Sequence, residues 1–399
     1  MQGGYYFTTG SSFSISSPLH TSYTKNISCA NSRLDGVVTS HQSCQPQQTT
    51  TTSIFVPLNV TAEQAEKFKV DMQQPSLDLI YVSVPLRDGR TLQVLTSQIE
   101  SNYVVILHHG TPSSCDIWKE AVEMFAAVGI KAFAYSRAGY FKSSRKVGRT
   151  VIDNNDDIKA IIEYFKITSF VSFGVQGGGP FALVNGFLTE CKNIVLLNPV
   201  GVYKGNPDFF TNDNGSQMDS RIKDVYTEAS KGKDALETYI SQNANTLKNI
   251  FSPNDAVLLQ DPTSVNSKLV STDFTNAVSN GFGGWVDDFL AFVNPDGWGG
   301  QDLSTITVPI LLIYGNDPLV TDGQYSFYQQ ILSSNNDFLI SMDPNYGSIG
   351  TGPLSLVLPP NLKELVKANA NTIVNISDLS ETSKTLIERI RLYPAINNI

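Results

Sequence analysis

Gly174 and Gly178 bracket Gln176 in the segment Phe173-Gly174-Val175-Gln176-Gly177-Gly178-Gly179-Pro180-Phe181. Small residues two positions before and after a central residue permit a sharp strand–turn–helix bend, which lifts the central side chain above a sheet edge. In the G-x-S-x-G form of this bend the centre is a nucleophilic serine. Here it is Gln176, whose carboxamide has no nucleophilic oxygen at neutral pH but presents one acceptor and two donors. Gly177 beside it offers an unobstructed backbone N–H.

A nucleophile needs a base, and bases are scarce in this chain. The 399 residues include four histidines: His20, His41, His108 and His109. Ser113 and Ser114 have the right side chain for nucleophilic chemistry but sit at a helix start, where serine is favoured for N-capping. Asp116, Asp153 and the Asp156–Asp157 pair fall in first turns of helices, where negative charge suits the dipole, and none reads as a metal ligand. The four cysteines, Cys29, Cys44, Cys115 and Cys191, form no CxxC and no Cys/His ligand spacing. Cys29 and Cys44 can be read as a short disulfide loop or as two free thiols; Cys115 and Cys191 read as buried packing residues. No metal or cofactor is expected.

The elements that must position Gln176 are legible from about residue 79. Leu79–Pro85 and Thr91–Thr96 are β-rich runs joined by Arg87-Asp88-Gly89-Arg90, which reads as a hairpin. Tyr103–His108 is a compact apolar run of the kind buried on both faces of a parallel sheet. Trp118, Val122, Phe125 and Ala126 mark a helix that ends at Gly129, and Ile130–Tyr135 is a strand. Ile158, Ile161, Ile162 and Phe165 give the face of an amphipathic helix. Ser169–Val175 is a strand, Gly179–Leu188 a helix and Ile194–Asn198 a strand. This alternation implies right-handed crossovers and a mostly parallel α/β sheet flanked by helices.

The alternation then stops. Residues 202–300 carry helical patterns but no convincing buried strand, and strands resume at Val308–Tyr314 and Phe338–Met342, with a helix near Gln324–Leu332 between them. The expected organisation is a core of residues 54–201 and 301–399, with a helical cap at 202–300. The tail from Asn361 to Ile399 reads as helical through Leu386, Ile387, Ile390 and Leu392. Residues 1–53, rich in Ser, Thr and Gln, read as a tail outside the core.

Composition sets the outer bounds. With 41% hydrophobic and 16% charged residues, the chain has the make-up of a soluble globular protein. Lys and Arg number 28 against 37 acids, a net charge of −9 without a basic cluster, which argues against a nucleic-acid face or an anionic-membrane face. No apolar run approaches the roughly 20 residues of a transmembrane helix. No secretory signal is recognisable, which favours a cytoplasmic protein, while residues 1–53 leave organellar import open. Asn-x-Ser/Thr sequons at Asn26, Asn59, Asn214 and Asn375 carry little weight in a chain rich in these residues.

Further segments support the glycine frame. His109-Gly110-Thr111-Pro112 follows the third strand. Ser136-Arg137-Ala138-Gly139-Tyr140 precedes Gly148-Arg149-Thr150 and Asp153. Gly284-Trp285-Val286-Asp287-Asp288 leads to Phe292 and Pro295. Together these motifs resemble the α/β-hydrolases of the soluble esterase, haloperoxidase and epoxide-hydrolase-like branch, over about residues 79–350 and most closely over His109–Pro199. The resemblance implies a catalytic serine at the position of Gln176 and an acid at Asp317, in Tyr314-Gly315-Asn316-Asp317. That segment is one residue shorter than usual between Gly and Asp. It implies a histidine at Ser348, in Pro344-Asn345-Tyr346-Gly347-Ser348, and oxyanion-hole N–H groups at Thr111 and Gly177, with His109 and Gly110 in the same loop.

The family's histidine follows the last strand, and this chain has no histidine after His109. Neither Gln176 nor Ser348 can replace the residue expected of it, and losing either nucleophile or base typically costs several orders of magnitude. A Ser-His-Asp hydrolase is therefore not expected. Two functions remain open. One is a non-catalytic protein binding a small apolar ligand under the cap, or a protein partner, with Gln176 orienting a carbonyl or hydroxyl group. The other is a lyase, isomerase or atypical hydrolase that stabilises an enolate or alkoxide at Thr111 and Gly177. Its base would have to be Asp317, His108 or His109.

Overall fold

The computed structural model describes residues 78–201, 203, 207–211, 218–294, 296, 298–315, 321, 324–328, 338–343, 352–354, 356, 379, 383–388 and 390. The tail 1–53, Asp317, Ser348, Cys29, Cys44 and the four sequons lie outside these residues.

Val104, Val105, Ile106, Leu107 and His108 are all buried, as a strand covered on both faces requires. This strand, β3 (Val104–His108), lies in an eight-stranded sheet with β1 (Leu79–Pro85), β2 (Thr91–Ser97), β4 (Lys131–Tyr135), β5 (Phe170–Val175), β6 (Cys191–Leu197), β7 (Ile310–Gly315) and β8 (Phe338–Asp343). The order is β1-β2-β4-β3-β5-β6-β7-β8. β1 and β2 form the expected antiparallel hairpin, with Gly89 at φ = 85° in its turn. β2 pairs antiparallel with β4, and every later neighbour is parallel.

Alternation along each strand divides the core into two layers. Val105, Leu107, Val171, Phe173, Val195 and Leu197 face one side, together with α1 (Lys119–Ala127) and Leu386, Ile387 and Ile390 from the C-terminal segment. Ile106, Phe170, Ile194 and Leu196 face the other, with α2 (Asn154–Phe165) and α3 (Gly179–Val184). Burying an aliphatic or aromatic side chain of this kind contributes roughly 1.5–3 kcal/mol, so both layers help hold the central strands in place. α1 closes at Gly129, φ = 74°, as its sequence predicts. α2 ends instead on Lys166 in the left-handed conformation, a position glycine would fill more cheaply.

Between β6 and β7 the described chain is helical: α4 (Ser220–Lys231), α5 (Lys233–Leu247), α6 (Pro253–Leu258), α7 (Val265–Ala277) and α8 (Gly283–Val293). Asp219, Ser252 and Ser264 cap α4, α6 and α7 through their side-chain oxygens. Ile222, Val225, Leu236, Ile240, Trp285 and Phe289 join the same layer as α2 and α3, which attaches this insertion to the sheet. Among the described residues of 202–300 no strand enters the sheet. Helical residues at 324–328 and 383–388 fall within the two later segments read as helices. No helix among the described residues is long and apolar enough to cross a membrane.

Candidate functional site

β5 ends at Val175, and the chain turns through Gln176–Gly178 directly into α3, with Pro180 in its first turn. Gln176 sits at φ = 49°, in the left-handed region that a non-glycine residue occupies only when its surroundings enforce it. The glycine frame supplies that enforcement. A Cβ on Gly174 would lie 2.5 Å from the Gly178 carbonyl oxygen, and one on Gly178 would run into the His108 and His109 carbonyl oxygens. The bend is therefore as tight as its spacing predicts, with a half-buried glutamine at its apex.

The His109–Thr111 loop meets this bend directly. A Cβ on Gly177 would run into Thr111 Oγ1 and lie 3.3 Å from Thr111 N, and one on Gly110 would lie 2.8 Å from Gln176 Oε1. So Gln176, Gly177, Gly110 and Thr111 are brought together, and the Gln176 carboxamide lies over Gly110. Asp317 and Ser348 fall outside the described residues.

Both nearby histidines are committed elsewhere. His109 Nδ1 donates to Gly110 O at 2.7 Å, and its Nε2 accepts from Arg137 N at 3.0 Å, which fixes a neutral ring. Burial, reinforced by the Arg137 charge, holds its pKa well below the ordinary value. His108 lies 2.9 Å from Tyr135 Oη and 3.1 Å from Ser172 Oγ through its two ring nitrogens. Burial, with Arg137 adding to it, pushes its pKa down to about 3. Each histidine is a core residue with both nitrogens engaged.

A buried charge cluster underlies the loop, and the sequence reading missed its role. Asp288 of α8 accepts from Thr111 Oγ1, Arg137 Nη2 and Tyr140 Oη on one oxygen, each at 2.7 Å, and from Arg149 Nη2 at 2.5 Å on the other. Burial alone would raise its pKa, but the two guanidinium charges outweigh that and hold the carboxyl below its usual range. Arg137 also donates to the carbonyls of His109 and Gly110, the latter at 2.8 Å, and stacks 4.7 Å over the Phe181 ring. An available signal was Asp287-Asp288 inside the otherwise apolar run Trp285–Phe292. Acids at such positions are buried and need partners.

A second carboxylate was not singled out at all. Asp273 of α7 accepts from Ser113 Oγ at 2.7 Å and from Ser114 Oγ at 2.6 Å, and from the N–H groups of Ser114 and Ile117. Burial pushes its pKa up against those hydrogen bonds, and neighbouring Asp116 adds to the rise, to about 7. Ser114 does cap the Cys115–Trp118 turn by accepting from Asp116 N, but Ser113 reaches the insertion instead. The first-turn reading is likewise incomplete for two acids. Buried Asp157 pairs with Arg90 at 2.7 Å, and Asp153 accepts from Thr150 N and Oγ1 rather than capping α2.

Among the described residues no group of three or more His, Cys, Asp or Glu side chains is arranged to hold a metal ion. Cys115 and Cys191 are buried, with thiol pKa values raised by that burial. A groove of about 480 Å³ lies along α4 and α5, lined by Glu228, Asp234, Thr238 and Tyr239, and includes none of the elbow residues.

No family model matches the sequence, and no curated protein sequence matches it. Solved structures do. The epoxide hydrolase CorEH superposes with a TM-score of 0.52 at 14% identity, over 68% of this chain and 93% of its own. The epoxide hydrolase VrEH1 from Vigna radiata gives 0.52 at 13% identity, over 73% and 97%. The bromoperoxidase from Bacillus anthracis gives 0.51 at 16% identity, over 72% and 98%. At these identities the likeness is one of architecture: the chain has the α/β-hydrolase fold, a mostly parallel sheet flanked by helices.

Proposed function

We propose that this chain is a catalytically degenerate α/β-hydrolase-fold protein, which binds a small apolar ligand or a protein partner beneath a helical cap instead of hydrolysing esters. The observation that carries the reading is Gln176, at φ = 49° on the strand–helix bend where the resemblance calls for the nucleophile. A carboxamide there orients a ligand but cannot attack it. Supporting it, the two described histidines are engaged at both ring nitrogens, and burial holds their pKa values down, so neither is free to deprotonate a nucleophile. In this reading the helices between β6 and β7 form the cap, the N–H groups of Thr111 and Gly177 face the ligand, and Asp317 and Ser348 occupy the remaining triad positions. No metal or cofactor is called for.

The alternative is a non-triad enzyme stabilising an oxyanion at Thr111 and Gly177. It draws support from the closeness of those two residues but leaves Asp317 as the remaining base from the sequence reading. Fluorophosphonate labelling of the full chain, read by intact mass, tests the proposal. The expected result is no adduct, while native mass spectrometry of the purified protein retains a small organic molecule or a partner. Stoichiometric labelling at Ser113, Ser114 or Ser348 would reveal a relocated nucleophile and overturn it.

A further inference from the structure

Of the helices in the insertion, α6 and α7 are the least buried. α7 buries Asp273 and Ala277 out of thirteen residues and α6 buries Asp255 out of six, whereas nine of the eleven residues of α8 are buried. Leu269, Val270 and Phe274 give α7 only partial apolar cover. What docks it is polar. Asp273 Oδ1 accepts from Ser114 N at 2.9 Å, Ser114 Oγ at 2.6 Å and Ile117 N at 3.1 Å, and Oδ2 accepts from Ser113 Oγ at 2.7 Å. Asn276 donates to Asp116, and Asn280 to the Phe141 carbonyl. Gly281, at φ = 86° with open space where a side chain would lie, then joins this segment to α8.

The groups around Asp273 leave its charge unmatched. Its four donors are hydroxyls and amides. From the turn beneath it, Asp116 adds a like charge and Cys115 a buried thiol. Lys119, at the start of α1, pairs with Asp116 at 3.2 Å, and Tyr81 of β1 donates to Asp116 as well. Lys248, just after α5, lies 5.4 Å over the ring of Phe274. Among the described residues no cation forms an ion pair with Asp273. Burial therefore raises this carboxyl to about 7, and Asp116 adds to the rise.

We propose that residues 253–277 form a strap over the turn at 113–118, which is closed while Asp273 is protonated and lifts about Gly281 when Asp273 ionises. In the closed state a protonated Oδ2 donates to Ser113 Oγ, while Oδ1 goes on accepting from Ser114 and Ile117, so the docking contacts are kept. The ionised carboxylate is better solvated by water than by four neutral donors. Closure is thus fully favoured below the ordinary carboxylate range, weakens as pH rises from about 4 to about 7, and is constant above. The device is independent of any ligand at Gln176.

Amide hydrogen exchange of the full chain from pH 5 to pH 8.5, read by peptide mass spectrometry and corrected for the intrinsic rate at each pH, tests this. At each pH α7 is expected to exchange at least tenfold faster than α8, because the strap opens without the rest of the fold. The corrected α7 rate should rise at least tenfold from pH 5 and level off near pH 7. Asp273→Asn should cut that rise to under threefold, whereas Asp116→Asn, which leaves the titrating carboxyl in place, should retain it. Ser113→Ala removes one donor to the carboxylate, so the rise should run to higher pH. It serves as the second variant should Asp273→Asn fail to fold. Equal corrected rates in α7 and α8 would overturn the strap. A rise that persists in Asp273→Asn, or a Ser113→Ala profile identical to wild type, would overturn Asp273 as its switch.

Discussion

Ser113 Oγ donates to Asp273 Oδ2 across 2.7 Å, joining the loop that follows Thr111 to α7 of the helical insertion. Its hydrogen bonds come from hydroxyl and amide donors rather than from a cation, which is why burial lifts its pKa from 3.8 to about 7. The sign of the consequence is fixed. A carboxyl with a raised folded pKa favours folding below its unfolded pKa, and loses that contribution as pH rises from about 4 to about 7. His108 and His109, with lowered values, act oppositely as pH falls through the ordinary histidine range, so the wild-type profile is a sum. The difference between Asp273→Asn and wild type isolates the carboxyl. Urea denaturation at pH 4.5 and pH 8 should show the variant gaining on wild type with rising pH, by on the order of a few kcal/mol. A pH-independent difference would remove Asp273 as a titrating latch.

Asp288 should behave differently, because its charge is matched rather than exposed to an apolar interior. Asp288→Ala leaves Arg137 and Arg149 buried without a counter-charge, and breaking such a group typically costs about 3–5 kcal/mol. Asp287→Ala, which releases only the partly exposed Arg145, should cost about 1 kcal/mol or less. Denaturation midpoints compare the two. Equal losses would mean that the cluster beneath Thr111 contributes no more than the partly exposed Asp287–Arg145 pair.

How much of this was visible in the sequence follows from which signals are local. The sheet was legible because strands such as Val104–His108 are apolar on both faces, and the elbow because Gly174 and Gly178 answer to contacts only glycine tolerates. Asp288 lay in a motif quoted for its resemblance, but its four partners come from Thr111, Arg137, Tyr140 and Arg149, up to 177 residues away. Asp273 gave no local signal at all. It sits in the mostly polar stretch Ser271-Thr272-Asp273-Phe274-Thr275-Asn276, and its burial depends on where α7 lands against Ser113 and Ser114. Tertiary pairing of this kind has no periodicity to read.

The elbow offers a test of strain that is independent of any ligand. Gln176 holds a left-handed backbone conformation that costs an L-residue about 1 kcal/mol or more, and glycine adopts it freely. Gln176→Gly should therefore raise the unfolding free energy by up to about 1 kcal/mol, even after allowing for glycine's greater freedom in the unfolded chain. Gln176→Ala keeps the strain and removes the carboxamide from Gly110, so it should be neutral or slightly destabilising. A loss in the glycine variant matching that in the alanine variant would show that the carboxamide contact, not the backbone, dominates at this position.

Restoring chemistry is the most demanding test of the degenerate-hydrolase reading. In a triad the nucleophile and the base act as a unit, so restoring one without the other recovers little. Gln176→Ser would place a hydroxyl on the bend beside the Gly177 and Thr111 amides, and removing the carboxamide would open the space over Gly110. Ser348→His would supply the imidazole, with Asp317 to orient it. The double variant is expected to hydrolyse p-nitrophenyl acetate above background, with a rate that rises with pH through the ordinary histidine range near 6.5. Each single variant should stay at background. The short Gly315–Asp317 spacing is the weakest link, because a misplaced carboxylate leaves the imidazole free to rotate. Lengthening that loop by one residue in the double variant should then raise the rate further. Fluorophosphonate labelling of the introduced elbow serine in the double variant, and not in Gln176→Ser alone, would establish the pairing directly. Labelling of Gln176→Ser that is indifferent to the Ser348→His change would show that the base position was wrongly transferred, whatever the fold.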